Sequence, residues 1–188
     1  MMNERQQKKA FQAIAYFTTH AGICYKKKLF KLLFLLDSEH FAATGRSVTG
    51  FDYFAWKMGP VPTELQEAIE SDDAKLLEHF DIEHDAMGGS YEDGVRLVSK
   101  VEFEPRYFSD RELSLLAEMA DRHIMSTGAE LEDLTHQKGT PWYKVWVEEN
   151  RRQKEIPFEY SLDHMSDTDK EVILDIAKEQ AEVLSNYQ

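Results

Sequence analysis

The sequence predicts an α+β fold that is predominantly α-helical, a single domain with a buried central helix and a small antiparallel β-sheet or hairpin. The 188 residues are enough for one domain with a real core, and 42% of them are apolar. One predicted helix, at about 26–43, is apolar on nearly all sides, which is typical of a helix buried on most sides. An alternating aromatic stretch at 51–57 then predicts a strand.

The chain begins with helical periodicity. Residues 4–21 are predicted to form a helix with apolar residues at helical spacing, and Gly22 is well suited to end it. The predicted central helix follows at about 26–43. Thr44-Gly45 is expected to end it, because glycine adopts the left-handed backbone conformation at little cost.

The predicted strand at 51–57 leads into Gly59-Pro60-Val61-Pro62. Because proline has no backbone N–H to donate, this sequence is expected to end any strand pairing. Gly59 permits a tight bend and the prolines stiffen the connection, which serves fold definition first and contact with a partner second. Alternation predicts two faces, with Phe51, Tyr53 and Ala55 on one, expected to cover the central helix, and Asp52, Phe54 and Trp56 on the other.

The remainder of the chain is predicted to be mostly helical. Ser109 with Glu112, and Thr127 with Glu130, match the capping box that opens many helices. Helices are predicted at about 62–69, after Ser71, at 109–124, at 127–137, from Thr140 and at 166–186.

Charge is distributed unevenly along the chain. Residues 1–31 hold seven Lys or Arg against one Glu, whereas residues 63–93 hold eleven Asp or Glu against one Lys. Within the acidic part, residues 81–94 are expected to form a solvated loop. One or two strands at about 95–103 are expected to pair with the strand at 51–57.

Composition narrows the classes of function. A formal net charge of −13 makes the chain a poor general binder of phosphate backbones, so we do not expect a nucleic-acid partner. Cys24 is the only cysteine, which excludes an intramolecular disulfide framework and fits a reducing compartment. We see neither a signal peptide nor a long apolar run, so a cytoplasmic protein without membrane contact is expected.

Two clusters of titratable residues invite a metal interpretation. Neither has a recognised ligand spacing, and no nucleophile or phosphate-loop signature is present, so we expect no enzyme activity, metal or cofactor. A small metal-dependent hydrolase that uses His40, His79, His84 or His136 stays as an alternative from another class. The clusters are Asp37, Glu39 and His40, and Glu78, His79, Asp81, Glu83 and His84.

The sequence LTHQKGTPW at 134–142 predicts a corner between two helices. His136 lies at a predicted helix end, where a charged imidazole favours the helix dipole. Trp142 opens the next helix and is expected to pack back over His136. We prefer this structural role to a catalytic histidine, because the sequence shows no orienting partner.

The order of these motifs resembles a known family. KLLFLLDSEHFAATGRSVTGFDYFAWKMGPVP at 31–62, followed some seventy positions on by LTHQKGTPW, is similar to the Panacea antitoxin domain, also described as SocA-like or phage-associated. The matched core spans about 26–146 within a domain of 1–188. The combination of G-R-x-x-T-G with G-P-V-P carries most of the specificity.

The resemblance implies an antitoxin in a bacterial or prophage toxin–antitoxin system. Family members neutralise toxins encoded beside them, mainly by direct binding, and one branch delivers its toxin to a ClpXP-type protease as a proteolytic adaptor. No catalytic residues are implied. The motif and candidate partner-binding positions are Lys31, Asp37, His40, Arg46, Thr49, Tyr53, Trp56, Gly59, Pro60, Val61, Pro62, His136 and Trp142.

Overall fold

The structure, a computed structural model, describes residues 3–85 and 94–186. Its α-helices and strands, in chain order, are α1 (Glu4–His20), α2 (Lys26–Thr44), β1 (Tyr53–Trp56), β2 (Gly59–Pro62), α3 (Thr63–Glu70), α4 (Ala74–His79), β3 (Phe80–His84), β4 (Val95–Ser99), α5 (Asp110–Arg122), α6 (Gly128–Thr135), α7 (Pro141–Tyr143) and α8 (Asp167–Asn186). A π-helical turn at Lys144–Glu148 follows α7, and 3₁₀ turns lie at Pro105–Tyr107 and Phe158–Leu162. The predicted α+β, mostly helical fold class is confirmed.

Helix α2 is the centre of the fold, as its composition predicts. Thirteen of its nineteen residues are buried. It contacts α1, α5, α6, α8, β2 and the 3₁₀ turn at 158–162. The helix ends at Gly45, whose φ of 70° lies in the left-handed region, as expected from the Thr44-Gly45 pair.

The expectation that Gly59–Pro62 ends strand pairing is wrong, because these residues form β2 and pair with β1. The other edge of β1 explains why proline is tolerated. Segment 153–156 bonds to it: Gln153 N–H donates to Ala55 O at 2.8 Å, and Ala55 N–H donates to Lys154 O at 2.9 Å. The backbone groups of Ala55 therefore point away from β2, so its partner Pro60 needs no N–H at that position.

The second hairpin also differs from the prediction. Residues 81–84, expected to lie in the solvated loop, and Phe80, expected to end the helix after Ser71, together form β3, which pairs with β4 from Phe80–Ser99 to His84–Val95. The expected pairing of the 95–103 region with the strand at 51–57 is wrong, because both edges of β1 are already occupied. The rest of the predicted acidic loop, residues 86–93, lies outside the described residues.

Helices of the second half begin where their caps predict. Ser109 and Thr127 each accept from the third helical N–H while Glu112 and Glu130 bond back to the cap, so both capping boxes are confirmed. In the described parts of the chain, no helix combines the length and apolar character needed to cross a bilayer.

Candidate functional site

Asp37 organises the connection from α2 into the β1–β2 hairpin. Its carboxylate is fully buried and accepts four hydrogen bonds. Oδ1 accepts the N–H groups of Val48 and Thr49 at 2.7 and 2.8 Å, and Oδ2 accepts the hydroxyls of Tyr53, at 2.7 Å, and Thr49. Burial raises the pKa of Asp37, while its hydrogen bonds act in the opposite direction. This constellation fixes the G-R-x-x-T-G turn to the central helix.

His40 lies one turn further along α2 and joins three helices. Its Nδ1 donates to the Arg46 carbonyl oxygen at 2.7 Å, and its Nε2 lies 3.8 Å from Glu112 of α5. Lys9 of α1 donates to the same Glu112 oxygen at 2.6 Å. Burial raises the pKa of Glu112, but hydrogen bonds from Lys9 and from the Ser109 N–H outweigh it, so this pKa lies below its usual value.

Lys31 is a buried cation beside the hairpin. It is 1% exposed, and its ammonium donates to the Pro60 carbonyl oxygen at 3.3 Å. Burial lowers the pKa of Lys31 to about 7. Gly59, with φ at 105°, makes room for it: a Cβ there would lie 2.6 Å from Lys31 Cε and 3.3 Å from His136 Nε2.

His136 and Trp142 form the expected corner. Their rings stack with centroids 3.6 Å apart, and the Trp142 indole N–H donates to the Trp56 carbonyl oxygen at 2.8 Å. Burial lowers the pKa of His136, and nearby Glu132 only partly opposes this. A charged ring interacting with the helix end is therefore not what holds the corner, and stacking on Trp142 takes that role.

The stack continues to the surface. Trp146, in the π-helical turn, stacks on Trp142 at 5.5 Å, and the Arg152 guanidinium lies 5.2 Å from the Trp146 ring centroid. Beside this stack, the β1–β2 turn exposes Trp56 and Met58, at 37% and 40%. We call this area the tryptophan surface and define it as Trp56, Lys57, Met58, Trp146, Val147, Arg152 and Lys154.

The structure divides the predicted site residues into two groups. Most of them face inward and bond to one another, whereas Trp56 alone combines a large exposed ring with a place in the motif. Arg46 contributes its backbone to the interior, while its side chain is exposed. The inward residues are Lys31, Asp37, His40, Thr49, Tyr53, Gly59, Pro60, Val61, Pro62 and Trp142.

A metal centre does not assemble from the histidine clusters that the sequence displays. Within residues 3–85 and 94–186, no three His, Cys, Asp or Glu side chains are grouped closely enough to hold an ion. Asp37 accepts hydrogen bonds from the connection between α2 and β1 and from Tyr53, and His40 Nδ1 bonds to Arg46 in the same connection.

Comparison with known proteins identifies the family. A family model described as "Antitoxin SocA-like, Panacea domain" matches residues 29–143, which is more than half of the chain. The chain therefore belongs to this antitoxin family. No curated protein matches the chain, and no solved structure matches it.

Sequence reasoning missed three contributors to the site. Glu112 was assigned only to a capping box, but it also receives Lys9 and faces His40. Trp146 lies where the helix predicted from Thr140 gives way to a π-helical turn, for which the sequence shows no signature. Segment 151–156, with Arg152, has no predicted element, because residues 151–155 are all polar and exposed and show no apolar alternation that would indicate strand-like pairing.

Proposed function

We propose that this protein is an antitoxin that neutralises a cognate toxin, encoded nearby, by direct protein–protein binding. Family membership over residues 29–143 carries the proposal. That range runs from α2 through the hairpin to the His136–Trp142 corner, whereas α1 and segment 153–156 lie outside it.

The engagement of the inward motif residues supports a binding protein over an enzyme. A catalytic carboxylate or histidine needs a path to substrate, yet Asp37 is fully enclosed by four donors and His40 is 4% exposed. These groups stabilise the scaffold. Among the candidate motif residues, Trp56 on the outer face of the hairpin and Arg46 have exposed side chains, so these two are available to contact a partner.

Rigidity of the hairpin supports tight binding. Pro60 and Pro62 fix two of the four residues of β2, and all four are buried. A pre-ordered surface loses little conformational entropy on association, so more of the contact energy appears as affinity. The formal charge of −13 favours a protein partner over a nucleic acid.

Co-expression tests this proposal. The chain and the product of the neighbouring gene are expressed from two unrelated inducible promoters, so that repression of a shared operon cannot explain a rescue. We expect growth to recover and the two proteins to co-purify at a fixed ratio. Toxicity that persists, or rescue without any complex, would contradict the proposal.

The half-life of the toxin separates occlusion from proteolytic delivery. Occlusion leaves toxin abundance unchanged or raised when the antitoxin is induced. An adaptor for a ClpXP-type protease instead shortens the half-life of the toxin, and deletion of the protease abolishes protection. We expect the first result.

A further inference from the structure

We infer that the tryptophan surface is the docking site for the protein partner, and that the partner presents to it a segment rich in carboxylates around an apolar anchor. This inference rests on the proposed function and adds the surface and the chemistry of the contact. The first argument is composition: Trp and Arg are enriched at interface hot spots, and Met is enriched at interfaces in general. The surface brings two tryptophans, a methionine and an arginine together.

The second argument is that buried neighbours hold the stacked side chains of the surface in place. Trp146 and Arg152 are the outer members of a stack that continues through Trp142 to His136, with adjacent groups 3.6 to 5.5 Å apart. Trp56 is held by β1 pairing, and its carbonyl accepts from the buried Trp142. The stacked rings and the backbone that carries Trp56 are therefore pre-ordered, so that less conformational freedom remains to be lost when a partner binds.

The third argument is charge. Arg151 and Lys144, which border the surface, pair with Glu149 and Asp163. In contrast, Lys57, Arg152 and Lys154 form no ion pair with a carboxylate of the described residues. Glu148 and Glu155 are exposed nearby, but neither pairs with a basic group in the described chain. Unpaired cations around exposed apolar rings fit carboxylates around an apolar anchor.

Charge elsewhere orients the partner. Helices α3 and α4 and the residues between them expose Glu64, Glu67, Asp72, Asp73 and Glu78. An acidic segment is repelled there and attracted to the tryptophan surface. The charge distribution therefore directs the acidic segment to the tryptophan surface and away from α3 and α4. It acts mainly on the rate of association.

A second exposed apolar area provides the matched comparison. Ile23, Ile124 and Met125 border a groove of about 570 Å³ between the α1–α2 and α5–α6 connections. Both lysines of this groove already have partners within the protein: Lys28 donates to the Ala21 carbonyl oxygen at 2.6 Å, and Lys27 pairs with Glu132. The same substitution, Met to Asp, is available at Met58 in one area and Met125 in the other.

Binding of the purified neighbouring-gene product to the full-length protein is the test. We expect Met58→Asp to raise Kd at least about 30-fold, as at an interface hot spot, and Met125→Asp to change it less than about twofold. Reversal of Arg152 and Lys154 to Glu should slow association and flatten its salt dependence. The control double variant Lys75→Glu with Arg111→Glu reverses two exposed cations elsewhere and should leave the association rate and its salt dependence unchanged. Circular dichroism and melting curves confirm that each variant is folded.

Three results would overturn the inference. If the wild-type protein binds but Met58→Asp and Met125→Asp weaken binding equally, or only Met125→Asp weakens it, the contact lies elsewhere. The proposed function would then still stand. Binding of a 20-nucleotide single-stranded oligo(dT), abolished by Met58→Asp, would mean that the surface serves nucleic acid. Failure of the wild-type protein to bind the neighbouring product would remove the proposed function together with this inference.

Discussion

The inner and outer faces of the β1–β2 hairpin perform different tasks with residues that lie side by side in the sequence. On the inner face, Tyr53 is 1% exposed and donates to Asp37, while Gly59 leaves room for Lys31. On the outer face, Trp56 and Met58 are exposed beside the Trp146–Arg152 stack. A motif that identifies the family thus mainly specifies how the chain folds. Our proposal places the residues that recognise a partner on the opposite side of the same element.

The largest expected effect is at the base of the stack. Trp142→Ala removes a buried ring that stacks on two others and donates one hydrogen bond, so it should lower the free energy of unfolding by about 3–5 kcal/mol. Urea denaturation followed by circular dichroism measures this. Trp142→Phe keeps a ring and should cost distinctly less. If Trp142→Ala has the same urea midpoint as wild type, Trp142 is not part of the folding scaffold.

Asp37→Asn probes the inner face at its most polar point. The amide keeps the shape of the carboxylate but places an NH₂ group opposite donors, so at least one buried donor loses its acceptor. We expect a loss of about 3 kcal/mol in unfolding free energy. Tyr53→Phe removes only one of the four donors and should cost about 1 kcal/mol. Equal stability of Asp37→Asn and wild type would contradict the role of this network.

Lys31 gives the inner face a pH dependence. Burial lowers its pKa in the folded state to about 7, below the ordinary value of 10.5, so the unfolded chain binds more protons between these values. Stability associated with Lys31 should therefore rise with pH through this window, by at most about 1.4 kcal/mol per pH unit, and be lost as pH falls through 7. Unfolding free energies of wild type and Lys31→Met, compared between pH 7 and 9, isolate this dependence. Parallel curves would show that Lys31 does not titrate in this range.

Much of the scaffold could be predicted because its signals are local. The apolar run of α2, the Gly45 stop and the capping boxes at Ser109 and Thr127 each lie within a few residues of the element they define. The pairing of Pro60 could not be predicted, because it depends on segment 153–156 occupying the far edge of β1. That contact joins residues nearly a hundred positions apart.

The site shows the same division between local and distant information. Family resemblance located Asp37, Tyr53, His136 and Trp142 without showing which of them face inward. The donors to Asp37 lie 11 to 16 residues away in sequence. Trp146 depends on a π-helical turn. Alternation along 51–57 predicts that Tyr53 faces inward and Trp56 outward, as the structure shows, but the exposure of residues outside a strand depends on the assembled fold.

Two tryptophans joined by one hydrogen bond offer the most direct test of the central claim, that the inner face folds the protein and the outer face binds its partner. Trp56→Ala leaves the carbonyl that accepts from Trp142 but loses the packing of a ring that is 37% exposed, so it should lower the free energy of unfolding by about 1–2 kcal/mol, less than Trp142→Ala. The measurement is the affinity of this folded variant for the neighbouring-gene product, by calorimetry at a temperature where melting curves show the variant to be fully folded. We expect a rise in Kd of at least about 30-fold. A variant that binds like wild type, or that loses affinity only because it unfolds, would contradict the claim.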